Sequence, residues 1–101
     1  MSNYIPNPAP INAAEEAQAR VIKGVIDHLV QMEAGTIITS ADLAIWIYKT
    51  HEDDLDDLYP GFPMSGAFDI AIGVFYHTSI GRELFESSVV DGEVVHVRRP
   101  A

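Results

Sequence analysis

The spacing of the apolar residues changes once along the chain. Up to about Ile80 these residues recur every three or four positions, the spacing of a helix that buries one side. After Ile80 they alternate around Asp91-Gly92, a dipeptide that strongly favours a two-residue β-hairpin turn. We therefore predict an α+β fold with three helices, a short strand after helix one and a C-terminal β-hairpin.

The first two helices and the strand between them follow from caps and glycines. Asn12 predicts the start of helix one and Gly35 its end, because a glycine there can adopt the left-handed conformation that closes a helix. Residues 36–39 are rich in β-branched side chains and predict a strand, and Ser40 predicts the cap of a helix that runs to Thr50. The apolar side of helix one comprises Ala14, Ala17, Val21, Val25, Leu29 and Met32.

The remaining elements are a third helix and the hairpin. Ser65 predicts the cap of helix three and Gly81 its end. One apolar side of this helix comprises Phe68, Ala71, Ile72, Phe75 and Tyr76. A two-residue turn predicts that one face of the hairpin covers the core while His96 and Ser87 lie on the other. The predicted core face comprises Leu84, Val90, Val95 and Val97.

Length and charge restrict the domain organisation and the partners. A chain of 101 residues has room for one domain, which we place at 12–101 after a flexible, proline-rich arm at 1–11. The chain has no cysteine, no apolar run long enough to span a membrane and no basic, apolar start typical of secretion, so we expect a cytoplasmic protein. A net charge of −9 favours basic partners over nucleic acid or anionic lipid.

Two segments resemble the winged helix-turn-helix family. Gly35-Thr-Ile-Ile-Thr-Ser-Ala-Asp-Leu-Ala44 is similar to its entry into helix two, and Val89-Val-Asp-Gly-Glu-Val-Val-His-Val-Arg-Arg99 to its wing. The resemblance implies DNA binding through helix three, yet this helix holds no Arg, Lys, Asn or Gln. Phosphate contacts would then fall to Arg98, Arg99, Arg82 and Lys49.

An acidic run with neighbouring aromatic residues is the second candidate site. It comprises Glu52, Asp53, Asp54, Asp56 and Asp57, followed by Tyr59 and Phe62. Closely spaced carboxylates can imitate a phosphate backbone towards a basic groove, and exposed aromatic side chains favour protein interfaces. Alternatively, Leu55 and Leu58 anchor an amphipathic turn with a solvated acidic side, and Tyr59 and Phe62 attach the loop to the core.

Three function classes follow. The leading hypothesis is a non-enzymatic protein that docks on a basic, nucleic-acid-binding protein through the acidic run. In size and charge the chain is similar to small phage inhibitor proteins, including DNA mimics and anti-CRISPR proteins. The alternatives are a winged-helix DNA-binding regulator, and a structural module or homodimer that self-associates through Ile45 and Trp46 of helix two.

Catalytic, metal and cofactor motifs are missing from the sequence. None of the histidines His28, His51, His77 and His96 shares the four-residue spacing typical of zinc ligands on a helix. The sequence also lacks a nucleophile elbow, a phosphate-binding loop and a calcium loop. We therefore predict no enzyme activity, no metal and no cofactor.

Overall fold

Eight elements follow one another along residues 13–100, the part of the chain that the computed structural model describes. In order they are α1 (Ala13–Val30), β1 (Ile37–Ile38), α2 (Ser40–Thr50), α3 (Glu52–Leu58), α4 (Pro63–His77), α5 (Ser79–Leu84), β2 (Phe85–Val90) and β3 (Glu93–Arg98). The predicted α+β fold with its C-terminal hairpin is confirmed, with two additional short helices, α3 and α5. The predicted arm at 1–11 and the Asn12 cap lie outside the described residues.

Helix α1 ends earlier than its glycine suggested. Its buried residues are Ala17, Val21, Val25 and Leu29, the stripe that the spacing predicted. The helix stops at Val30, because the carbonyl groups of Leu29 and Val30 accept hydrogen bonds from the side chain of Arg98. Gly35 lies in the following turn with φ of +89°, where its N–H donates to the Arg98 carbonyl. The prediction that Gly35 ends the helix is therefore wrong.

The cap of helix α2 lies one residue before the predicted cap, Ser40. The Oγ1 of Thr39 accepts from the Asp42 N–H at 3.0 Å, and the Asp42 carboxylate accepts from the Thr39 N–H at 3.0 Å. This reciprocal pair satisfies two N–H groups at the helix start. Thr39 is thus the cap and Ser40 the first helical residue.

Helices α4 and α5 both depart from the predicted boundaries. Pro63 opens α4, two residues before the predicted cap Ser65, because proline fits the first helical turn without loss of a hydrogen bond. Thr78 ends α4 and caps α5 by accepting from the Gly81 N–H. Gly81 therefore lies inside α5 and does not end helix three.

The sheet is antiparallel with strand order β1-β3-β2. Asp91 and Gly92 form the predicted turn with φ of 53° and 80°, as a type I′ hairpin requires. Ser87 pairs with His96, and the His96 ring stacks on Phe75 of α4 with ring centroids 3.8 Å apart. His96 therefore faces the helices, so its predicted place on the outer face is wrong. Of the predicted core face, Val95 is buried and Leu84 packs against the core, whereas Val90 is exposed.

The core lies between the first four helices and the start of β2. It comprises Val21, Val25, Leu29, Leu43, Ala44, Ile47, Leu55, Ala67, Ala71, Val74, Phe75 and Phe85. Ala71 and Phe75 fulfil the prediction for helix three, but Phe68, Ile72 and Tyr76 are exposed on the outer side of α4. The single apolar side predicted for this helix is wrong, because α4 has apolar residues on two sides.

Close packing explains three of the four helical glycines among the described residues. A Cβ atom on Gly24, Gly66 or Gly81 would collide with a neighbouring group. Those neighbours are the ring of His51 at Gly24, the ring of Tyr59 at Gly66 and the carbonyl of Val74 at Gly81. Gly73 of α4 differs, since a Cβ atom there would meet nothing within 4 Å. A glycine inside a helix costs about 0.5–1 kcal/mol relative to alanine.

Candidate protein-binding surface

Helix α3 makes the acidic run amphipathic. Leu55 is buried and Leu58 is half-buried against the core, which fixes the inner side of the helix between α1 and α4. The predicted anchoring of the run by these two leucines is confirmed. The carboxylates that remain exposed are those of Glu52, Asp53, Asp56 and Asp57. We call these four residues together with Phe62 the acidic surface.

Asp54 differs from the other acids of the run because it is bound to α1. Its Oδ1 lies 2.7 Å from Nη2 of Arg20 and its Oδ2 accepts from Nε of Arg20 at 3.2 Å. The hydrogen bonds and charge of Arg20 lower the pKa of Asp54. This two-point contact holds α3 on α1, so Asp54 contributes to the fold and is not part of the acidic surface.

The remaining carboxylates spread around the outer side of α3. Glu52 accepts a hydrogen bond from the Tyr48 hydroxyl at 3.2 Å, and its negative charge, with that bond and a smaller effect of Asp56, raises the pKa of Tyr48. Asp57 contributes to the raised pKa of Arg20, which places Asp57 on the α1 side. Among residues 13–100, none of the four exposed carboxylates forms an ion pair.

The two aromatic residues that follow α3 have different environments. Tyr59 packs against the core and lies over Gly66, so it attaches the loop as one alternative predicted. Phe62 is 70% exposed immediately before α4. An aromatic side chain so exposed beside acidic residues is typical of a protein interface. Phe62 is therefore the aromatic residue that the acidic surface can offer to a partner.

Arg98, a candidate for phosphate contact, is inside the protein. Its side chain is 8% exposed and donates from Nε to the Leu29 carbonyl at 3.2 Å and from Nη2 to the Val30 carbonyl at 3.2 Å. Its Nη1 donates to the Arg99 carbonyl at 2.7 Å. The guanidinium thus satisfies the C-terminal end of α1, where a positive charge also complements the helix dipole.

The other predicted phosphate-contact residues are exposed, and the side chains of Arg99 and Arg82 donate to main-chain carbonyls. Arg99 donates from Nε to the Phe85 carbonyl, and Arg82 from Nη1 to the Tyr76 carbonyl at 3.4 Å. Lys49 lines a cleft of about 390 Å³ with Glu52, Asp53 and Asp54, whose charges offset its own. Of the four predicted phosphate-contact residues, Arg98 is buried, whereas Lys49, Arg82 and Arg99 remain exposed.

The two residues of α2 that were predicted to self-associate have different environments. Trp46 is half-buried, stacks on His28 with ring centroids 3.8 Å apart and meets the His51 ring edge-on at 5.8 Å. Its ring therefore packs within the chain. Ile45 is exposed on the outer side of α2. Helix α4, which was predicted to have one apolar side, has more exposed apolar residues than α2.

The described residues contain neither a cluster of metal ligands nor a membrane-spanning helix. Between residues 13 and 100 no three His, Asp or Glu side chains come close enough to share a metal ion. None of the helices in this part of the chain combines the length and the apolar character that crossing a membrane needs. Comparisons with protein-family models, curated proteins and solved structures find no match to the chain.

Proposed function

We propose that the chain is a non-enzymatic binding protein whose acidic surface docks on a basic surface of another protein. The observation that supports this most is the exposure of Phe62, in the segment between α3 and α4, together with four exposed carboxylates of α3 that form no ion pair among the described residues. Charge complementarity speeds association and selects the partner. A buried aromatic anchor contributes more of the affinity. The acidic surface offers both.

The charge spacing favours a partner that normally holds nucleic acid. Seven helical residues span about 10 Å, so the four unpaired carboxylates of α3 give one negative charge about every 2.6 Å. Duplex DNA has one charge about every 1.7 Å along its axis. A groove that accommodates phosphates can therefore accommodate α3, and occupation by α3 would exclude the nucleic acid. This would make the chain an inhibitor, as its similarity in character to DNA mimics and anti-CRISPR proteins suggests.

The test compares variants as bait in a pull-down from lysate of the host. The triple variant Asp53→Asn, Asp56→Asn, Asp57→Asn removes three charges of the acidic surface and retains Asp54, which holds α3 on α1. Its control is Glu83→Gln, Glu86→Gln, Glu93→Gln, which removes three exposed charges from α5 and the hairpin. Both variants change the net charge equally, so only a local effect of the acidic surface distinguishes them.

We expect the wild type and the control to retain a basic protein that added duplex DNA displaces. The triple variant should lose this protein, and Phe62→Ser should weaken its binding while the circular dichroism spectrum stays unchanged. Equal retention by the triple variant and the control would contradict the proposal. Recovery of DNA in place of a protein would favour the winged-helix alternative.

A further inference from the structure

The outer side of α4 has a ridge beside a groove. The ridge consists of Met64, Phe68, Ile72 and Tyr76, each four residues from the next and each between 37% and 43% exposed. The neighbouring row, Ser65, Asp69, Gly73 and His77, has no large apolar side chain. Rows of this spacing on two helices interlock when the helices cross at about −50°. Helix α4 therefore has both halves of a helix-to-helix contact.

Gly73 indicates where a second helix would approach. Its position inside α4 has no packing reason within the chain, because a Cβ atom there would lie in open space. A cleft of about 300 Å³ between α1 and α4 is lined by Gly73 together with Asp69, His77, and Gln18 and Ile22 of α1. A helical glycine that the chain does not need for its own packing is explained by the close approach of another backbone.

We propose that two copies of the chain form a twofold dimer in which their α4 helices cross in antiparallel directions at Gly73. The groove row of each copy then faces the groove row of the other at Gly73, and the two ridges meet beside it, as a twofold axis requires. This interface is separate from the acidic surface on α3 and does not depend on the proposed function.

The charges of α4 favour a second copy as the occupant. Two chains of net charge −9 repel each other, so they can associate only where little charge is exposed. Asp69 is the only Asp, Glu, Lys or Arg residue in α4. Asp69 and His77 lie four residues on either side of Gly73, so an antiparallel crossing at Gly73 places Asp69 of each copy opposite His77 of the other. A second copy thus supplies a complementary charge in this row.

The exposed apolar area of the ridge supplies most of what a standard interface contains. With about 200 Å² for each fully exposed side chain, the ridge contributes about 320 Å² per copy. A standard interface of about 800 Å² per partner is roughly 60% apolar, so it needs about 480 Å². The ridge alone provides about two thirds of this area, before the walls of the cleft are counted.

Sedimentation equilibrium of the full chain tests the dimer. The wild type should reach twice the 11.1 kDa of the monomer as its concentration rises. Gly73→Leu fills the groove and should raise the dimer dissociation constant by about tenfold or more, whereas Ala19→Leu on the exposed side of α1 should leave it unchanged. The open space at Gly73 means that Gly73→Leu retains the monomer fold.

An exchange of Asp69 and His77 tests the antiparallel register. Asp69→His and His77→Asp should each weaken the dimer, because like groups then face each other. The double variant should recover most of the wild-type affinity. A wild type that remains monomeric at millimolar concentration, or a Gly73→Leu variant that dimerises as the wild type does, would overturn the proposal. Dissociation by Ile45→Ser but not by Gly73→Leu would assign the interface to α2.

Discussion

Replacement of Arg98 by methionine should reduce the stability of the fold substantially. Methionine retains an unbranched apolar stem but lacks the guanidinium that donates to the Leu29 and Val30 carbonyls at 3.2 Å each. A hydrogen bond from a charged donor contributes about 1.5–3 kcal/mol. Methionine also loses the bond from Nη1 to the Arg99 carbonyl at 2.7 Å, but the charge no longer has to be kept out of water, which offsets part of the loss of the three bonds. We therefore expect a loss of about 3 kcal/mol in the free energy of unfolding.

The assay for this prediction is urea unfolding followed by circular dichroism, with Arg99→Met as the matched control. The exposed Arg99 makes one hydrogen bond from its side chain, to the Phe85 carbonyl at 3.2 Å, so its replacement should cost at most about 1 kcal/mol. A loss of 3 kcal/mol in a domain of this size lowers Tm by about 12–24 °C. Equal midpoints for Arg98→Met and Arg99→Met, at an unchanged urea slope, would refute the structural role of Arg98.

Four further substitutions test other contacts of the fold. Asp54→Asn should lower the free energy of unfolding by about 0.5–1 kcal/mol at pH 7, as measured by urea titration. This difference from the wild type should disappear as the pH falls from about 4 through the lowered pKa of Asp54, because acid protonates the carboxylate that Arg20 stabilises. Burial lowers the pKa of His96. The wild type should therefore lose stability as the pH falls below about 6.5, because His96 binds a proton in the unfolded chain but not in the folded one. His96→Gln should reduce this pH dependence. In thermal unfolding at protein concentrations too low for dimer formation, Gly73→Ala should stabilise the monomer by about 0.5–1 kcal/mol, whereas Gly81→Ala should destabilise it.

The hairpin illustrates which part of the fold local sequence determines. Asp91-Gly92 predicted the turn correctly, because a type I′ turn needs positive φ at two adjacent positions and few residue pairs adopt it. The valines predicted the inward face only in part, because Val95 is buried but Val90 is 51% exposed. The inner side contains His96, 1% exposed, because Phe75 stacks on its ring and Ser87 lies within hydrogen-bond distance of Nδ1. These partners come from another helix and another strand.

The candidate site shows the same distinction between local and long-range information. The amphipathic character of the acidic run follows from the spacing of Leu55 and Leu58, and the structure confirms it. The role of Asp54 could not be predicted in this way, because its partner Arg20 is 34 residues away in the sequence. The exposed ridge of α4 was missed because apolar residues on two sides of a helix look like one broad core surface in the sequence. Gly73, inside the same helix, was the available signal.

Most of the positive side chains form hydrogen bonds within the chain. Five of the six Lys and Arg side chains donate hydrogen bonds within the described part of the chain, and Lys49 lies beside acids. The five are Arg20, Lys23, Arg82, Arg98 and Arg99. The fold thus uses its cations to hold helix ends, strands and α3 in place, while four carboxylates of α3 remain unpaired and exposed. Arg20 binds Asp54 and Lys49 lies beside Glu52, Asp53 and Asp54, so we expect the negative field of α3 to be offset only in part, in keeping with the net charge of −9.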